Sequence, residues 1–200
     1  MIRELQPDSL VRAYANGIFP MADRGRILWF SPEMRGLIPL DDRFHIPRRL
    51  RSTLRKRPFD IRIDTDFEAT VRGCAEREST WIDDQIVRAY TALHHHGVAH
   101  SIECWDSDGL QGGLYGVALG GAFFGESMFS RKTNASKAAL AATVAILRRS
   151  RFLLFDTQWI TSHLRQFGAF ELPRDDYHVL LHEALQSDAR FPTSLPADCP

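Results

Sequence analysis

Three strand-like runs in close succession restrict this chain more than any other feature. They are Ala99 to Trp105, Leu110 to Leu119 and Ala122 to Phe129. Asp106-Ser107-Asp108-Gly109 and Gly120-Gly121 separate them. Turn residues between apolar runs join neighbouring antiparallel strands, so this segment reads as a meander. Phe59 to Ile63 alternates as a further strand upstream. Asp66 to Glu78 and Asp83 to His96 read as helices, the first capped by Asp66 or Asp64 and the second ended by Gly97. An Ala-rich helix runs from Asn134 to about Ser150. Phe152 to Asp156 is almost wholly apolar, as a buried central strand is. Helices from about Thr161 and from Asp175 to Gln186 complete the pattern. The expected class is α/β of the mixed α+β kind, with a central, mostly antiparallel sheet.

The 200 residues suit one domain with a small appendage. Residues 1–40 alternate turn formers (Pro7, Gly17, Pro20, Gly25, Pro32) with aromatics (Tyr14, Phe19, Trp29, Phe30), and read as a small irregular N-terminal lobe. Residues 41–190 form the body. Residues 191–200 hold three prolines without periodicity and read as a loose tail. No apolar run is long enough to span a bilayer, and the first residues lack a signal-peptide core. Cys74, Cys104 and Cys199 are odd in number and far apart, so reduced thiols and a cytoplasmic location are expected.

The formal net charge is zero, which excludes a globally basic nucleic-acid coat. The charge is unevenly placed, however. Arg43 to Arg57 carries seven cations and no acid, leaving −7 for the remaining chain. Arg48 to Arg57 reads as a helix with Leu50 and Leu54 turned inward. Its cations are either a solvated face or an anion-binding surface such as one for a phosphate backbone, and the unopposed charge favours the second.

Three features could carry chemistry. Asp156 and Gln158 lie two apart at the end of the buried strand, on one face by strand periodicity. They are either a hydrogen-bonded structural pair or a site. Glu126 sits among Phe123, Phe124, Met128 and Phe129, where a carboxylate is costly unless a cation or donor meets it. An internal arginine, Arg131 among the candidates, or a cationic ligand would serve. Gly112, Gly113 and Gly116 mark close approach by a backbone, a ligand or a packed neighbour. His94-His95-His96 point three ways on a helix, so no metal site is expected.

Taken in order, a set of motifs is more informative than any member. They are Tyr14-Ala15-Asn16-Gly17-Ile18-Phe19-Pro20, Trp29-Phe30-Ser31-Pro32, Thr80-Trp81-Ile82, His100-Ser101-Ile102-Glu103, Gly112-Gly113-Leu114-Tyr115-Gly116-Val117, Gly125-Glu126-Ser127-Met128-Phe129-Ser130, Asn134-Ala135-Ser136-Lys137 and Asp156-Thr157-Gln158. With this spacing, over about residues 10 to 185, the chain resembles the leucyl/phenylalanyl-tRNA–protein transferase family. The resemblance implies a GNAT-like acyltransferase domain behind a small N-terminal lobe, acting as a monomer without membrane contact. It implies transfer of Leu, Phe or, less well, Met from aminoacyl-tRNA to the α-amine of proteins beginning with Arg or Lys, which marks them for N-degron proteolysis. No cofactor and no catalytic metal are implied.

The same resemblance suggests residue roles. An aminoacyl ester is already activated, so positioning and one proton are the main tasks. Gln158 would hydrogen-bond the reacting amine. Asp156 would polarise or orient Gln158, or accept the proton through water. Glu126 would meet the cationic side chain of the acceptor. Tyr14, Trp81, Tyr90, Leu114 and Phe123 would wall the aminoacyl pocket. Arg48, Arg49, Arg51, Arg55 and Lys56 would hold tRNA. The chain departs from the family pattern at Met21, where Trp is frequent, and at Leu114, where Met is common.

Two rival classes fit less well. An acetyl-CoA-dependent GNAT enzyme needs a glycine-bearing pyrophosphate turn, and Ser130 to Ala135 has no glycine. A non-catalytic tRNA-binding or degradation-adaptor module leaves Asp156, Gln158 and Glu126 without a task. Transfer to acidic N-termini is disfavoured by the charge of Glu126.

Overall fold

A computed structural model of the chain describes residues 5–195. In chain order the elements are α1 (Pro7–Ala15), β1 (Phe19–Asp23), β2 (Arg26–Phe30), β3 (Met34–Leu37), α2 (Arg48–Leu54), β4 (Asp60–Ile63), α3 (Phe67–Ala75) and α4 (Asp84–His95). Then follow β5 (Ala99–Asp106), β6 (Gly109–Leu119), β7 (Ala122–Ser130), α5 (Ala135–Arg149), β8 (Leu154–Gln158), α6 (Ser162–Arg165), β9 (Phe170–Pro173) and α7 (Arg174–Leu185). Seven strands make one sheet in the order β4-β5-β6-β7-β8-β3-β9. Every neighbouring pair is antiparallel except β7 and β8. The mixed class and the meander are as the sequence indicates. No helix among the described residues is long and apolar enough to cross a membrane.

Side chains alternate between two cores, as strand periodicity requires. Tyr115, Phe124 and Leu154 pack with α1, α3, α4 and α7 on one face, whereas Leu114, Phe123 and Phe155 pack with α5 on the other. The glycines of β6 serve this packing. A Cβ on Gly112 would stand 2.5 Å from that of Ala135, and one on Gly116 would stand 2.4 Å from the Phe124 carbonyl oxygen. The Ala-rich α5 therefore lies directly against the sheet, and these glycines leave no space for a ligand.

The first forty residues are more ordered than their turn formers suggest. Pro7 occupies the first turn of α1, where its missing N–H is harmless. Leu10 and Tyr14, four apart, are fully buried. β1 and β2 close through Arg24 and Gly25, both at positive φ, as a two-residue hairpin requires. β3, inside the segment read as lobe, is instead an internal strand of the main sheet, between β8 and β9. Turn residues dominated the reading because each of these strands is only four or five residues long. At the other end, Phe191 of the expected tail stacks on Phe123 and on His100, at centroid distances of 5.6 and 4.3 Å. Residues 196–200, Cys199 included, lie outside the described residues.

Candidate active site

The parallel pair β7–β8 opens the site. Its pairing ends at Phe124 with Asp156, and beyond that point the strands carry no mutual register. Both are also irregular there. Gly116 pairs with Gly125 and Tyr115 with Ser127, so Glu126 is an extra, bulged residue. Gly36 pairs with Gln158 and Leu37 with Asp156, so Thr157 is bulged on β8. Bulges bend a strand and re-aim its side chains. Gln158 completes the turn at φ 59°, a left-handed conformation that non-glycine residues seldom adopt. Gly36 must be glycine for this to pack, because its Cβ would stand 2.8 Å from the Trp159 carbonyl carbon.

A cavity of about 280 Å³ lies where the strands part. The buried side chains Leu114, Leu140, Phe155 and Leu164 line its apolar part. Met21, Trp81 and the 43 % exposed Trp159 stand nearer solvent, and Trp159 is braced edge-on against Phe19 at 5.0 Å. Glu126 and Gln158 are among its polar groups, with Arg77 and His163 also in the lining. This combination of an apolar chamber and a few convergent polar groups is the usual form of a small-ligand site.

Among the described residues no cation forms an ion pair with Glu126. Arg131 pairs with Glu76 at 2.8 Å, and the internal Arg35 pairs with Asp156. What meets the carboxylate is the Tyr90 hydroxyl, donating at 3.1 Å. Tyr14 in turn hydrogen-bonds Tyr90, and donates to it because the Tyr90 proton is already committed. Burial pushes the Glu126 carboxyl up to about 8, against the opposing pull of the two tyrosines. This environment favours the neutral acid near pH 7.

Gln158 supports the same reading. Its amide stands 3.4 Å from Glu126 Oε1; with the amide turned so that its nitrogen faces the backbone, that nitrogen donates to the carbonyls of Thr157 at 3.1 Å and Gly125 at 3.0 Å. The amide oxygen then faces Glu126. Two acceptors face one another only with a proton or a cation between them.

Asp156 meets Gln158 through the backbone and not through the side chain. It is fully buried and does not reach the Gln158 side chain. Its oxygens accept from Arg35 Nε at 2.9 Å and Nη2 at 2.6 Å, from the Tyr177 hydroxyl at 2.7 Å and from the Gln158 backbone N–H at 2.8 Å. A carboxylate so engaged has no lone pair facing the cavity. It fixes the backbone on which Gln158 turns. Arg35 also donates to the Gly17 carbonyl at 2.7 Å and lies over the rings of Phe19 and Tyr177, which ties the N-terminal lobe to the sheet.

Of the five expected pocket residues, Trp81 and Leu114 line the cavity. Tyr14 and Tyr90 lie beneath it as the hydroxyl pair that holds Glu126, and Phe123 is in the α5 core against Phe155. Strand alternation places Phe123 on the Leu114 side, but its partners fill the space around it. Sequence reasoning missed Arg35, Tyr177 and Trp159. Arg35 had a signal of the same kind as Glu126, a lone charge in an apolar strand (Gly36, Leu37 and Ile38 follow it). The histidines are structural: His94 stacks on Phe67 at 4.4 Å, and His100 meets Asp64 at 2.7 Å.

Arg48, Arg49, Arg51, Arg55 and Lys56 cluster on and just after α2, all exposed. None forms an ion pair among the described residues. Arg48, Arg51 and Arg55 border a second depression, of about 530 Å³, separate from the cavity between β7 and β8.

Comparison with known proteins gives one family. The model for the leucyl/phenylalanyl-tRNA protein transferase matches residues 37–182, and that for the N-terminal domain of the same transferase matches residues 3–33. The second match ends where β3 begins, at the point where the chain enters the main sheet. Proteins named leucyl/phenylalanyl-tRNA–protein transferase are similar along nearly their whole length. One from Akkermansia muciniphila is 57% identical over 91% of this chain and 97% of its own. One from Herpetosiphon aurantiacus is 49% identical over 96% and 100%, and one from Paramagnetospirillum magneticum is 53% identical over 95% and 94%.

Proposed function

The chain belongs to the leucyl/phenylalanyl-tRNA protein transferase family, and from that premise we propose that it moves Leu, Phe or, less well, Met from aminoacyl-tRNA to the α-amine of proteins beginning with Arg or Lys. One observation carries the acceptor assignment: Glu126 is held in the cavity wall by a tyrosine and forms no ion pair among the described residues. An Arg or Lys side chain supplies the cation. Its binding favours the carboxylate, so Glu126 gives up a proton as the acceptor enters.

Gln158 then receives the α-amine. Its oxygen accepts an N–H bond, while its nitrogen is anchored on two carbonyls and holds the oxygen in place. The amine attacks the ester carbonyl of the aminoacyl-tRNA, the ester C–O bond breaks, and the terminal ribose hydroxyl leaves. Glutamine cannot act as an ordinary base, so the ammonium loses its proton to solvent or to the departing ribose oxygen. The aminoacyl side chain occupies the apolar chamber of Leu114, Leu140 and Leu164. A product so marked enters N-degron proteolysis.

The test is incubation with radiolabelled Leu-tRNA and two peptides that differ only in an N-terminal Arg or Glu. Label on the Arg peptide alone supports the reading. Label on the Glu peptide alone overturns the role of Glu126. No label on either, with tRNA still bound, returns the chain to the class of binding modules.

The exposed cations of α2 are assigned to the tRNA backbone. Such contacts are sequence-tolerant and weaken as salt displaces them. Reversing Arg48, Arg49 and Arg51 to Glu is expected to weaken tRNA binding by at least about tenfold at low salt and to flatten its dependence on salt. Binding measured by filter retention with unchanged affinity and slope would remove this surface from the account.

A further inference from the structure

We propose that Arg77 binds the phosphodiester on the 5′ side of the terminal, amino-acid-bearing nucleotide of the donor, an inference that rests on the donor being aminoacyl-tRNA. Among the described residues Arg77 is the only lysine or arginine that lines the main cavity. The other ionisable nitrogen there, on His163, is biased toward the neutral form by burial and by Lys137. Arg77 follows the end of α3 and reaches across to β7, where its Nη2 donates to Ser127 Oγ at 3.2 Å and to the Met128 carbonyl at 3.0 Å. Both acceptors are neutral. The carboxylate next to it in sequence, Glu76, is committed to Arg131.

Glu126 stands one residue from Ser127 on the same strand, yet Arg77 forms no ion pair with it. The cavity thus keeps the basic Arg77 and the acidic Glu126 apart, and neither forms an ion pair among the described residues. That suits a reaction whose two substrates have opposite charges. The acceptor is cationic and belongs with Glu126. The donor is anionic everywhere except at its aminoacyl end, and its first anion lies one ribose away from the reacting ester. A guanidinium held through Nη2 on Ser127 and Met128 keeps its Nε and Nη1 N–H groups for that phosphate. The α2 cations border a separate depression, so they suit more distant phosphates.

The experiment compares two minimal donors, phenylalanyl-adenosine and phenylalanyl-adenosine carrying a 5′-phosphate methyl ester, with an Arg-starting peptide amide as acceptor. The parent protein is expected to show a lower donor KM with the phosphate. In Arg77→Gln the ratio of the two KM values is expected to shrink by about tenfold, the scale of a charge-assisted hydrogen bond. Arg77→Lys is expected to recover part of it. The ratio persisting in Arg77→Gln would overturn the proposal. So would equal losses with both donors alongside a lower Tm, which would make Arg77 a strut between α3 and β7. A loss confined to acceptor peptides with a free C-terminal carboxylate would place a peptide anion there instead. Transfer from neither donor by the parent protein would overturn the donor reading itself.

Discussion

Asp156→Ala is expected to cost the protein much of its stability, about 3–5 kcal/mol, before any effect on turnover is counted. The residue's carboxylate is fully buried and engages Arg35, Tyr177 and the backbone of Gln158 at once. Removing it strands the guanidinium of Arg35, which is 1 % exposed and has the Gly17 carbonyl as its remaining strong acceptor. An uncompensated buried charge costs more than the pair contributed. For a domain whose total stability lies at about 5–15 kcal/mol, such a loss is severe. Arg35→Met is expected to fall by a similar amount. The double variant Arg35→Met with Asp156→Leu is expected to be less destabilised than the two single losses combined, because neither charge is left alone. Urea unfolding of the four proteins measures this directly. A near-parental unfolding midpoint for Asp156→Ala, with turnover abolished, would instead make Asp156 a participant in proton transfer.

Gln158→Ala is expected to behave in the opposite way, with a fall in kcat of about 10²–10³ and little loss of stability, because it removes one positioned hydrogen-bonding group at the reacting amine. The pH dependence separates its role from that of Glu126. Below about pH 8 Glu126 is protonated in the free protein, and an α-ammonium loses its proton near pH 8. Both deprotonations favour reaction, so log kcat/KM for an Arg-starting acceptor is expected to rise toward a slope of about 2 below pH 7.5. In Glu126→Gln one of the two is gone and the slope falls to about 1. Stability runs the other way. A half-buried carboxyl with a raised value holds its proton where the unfolded chain has lost it, so folding is weakened as pH climbs from the ordinary glutamate range to about 8. Glu126→Gln is therefore expected to raise Tm at pH 8 relative to the parent and to give up that advantage in acid. An unchanged slope together with an unchanged Tm would show that Glu126 is ionised throughout.

Legibility in the sequence followed the scale of each signal. The meander, α3, α4 and α5 were evident because each carries its period over eight or more residues with turn formers or a cap at its end. Asp66 does cap α3, and Asp83 caps α4, each accepting from backbone N–H groups at 2.9–3.0 Å. β1, β2, β3 and β9 were not evident. They are four or five residues long, and their partners are distant in the chain or lie across a two-residue turn. Glu126 and Gln158 were found because a polar group in an apolar strand asks for an explanation. The bulges that aim them were invisible, since a bulge is a property of two strands in register and neither strand records it alone. The separation of Asp156 from the Gln158 side chain has the same origin. Period-2 reasoning put Asp156 and Gln158 on one face, and the left-handed turn at Gln158 parts them. Motif resemblance, which averages over such local irregularities, reached the family without resolving them.

The most direct test of the site compares peptides beginning with Arg and with citrulline, its neutral isostere, in the parent protein and in Glu126→Gln. The parent is expected to favour Arg by about 30-fold or more in kcat/KM, the scale of a desolvated charge pair. Glu126→Gln is expected to accept both alike. Discrimination that survives in Glu126→Gln would contradict the account, as would an equal loss with both peptides, which would put the α-amine rather than the side chain on Glu126.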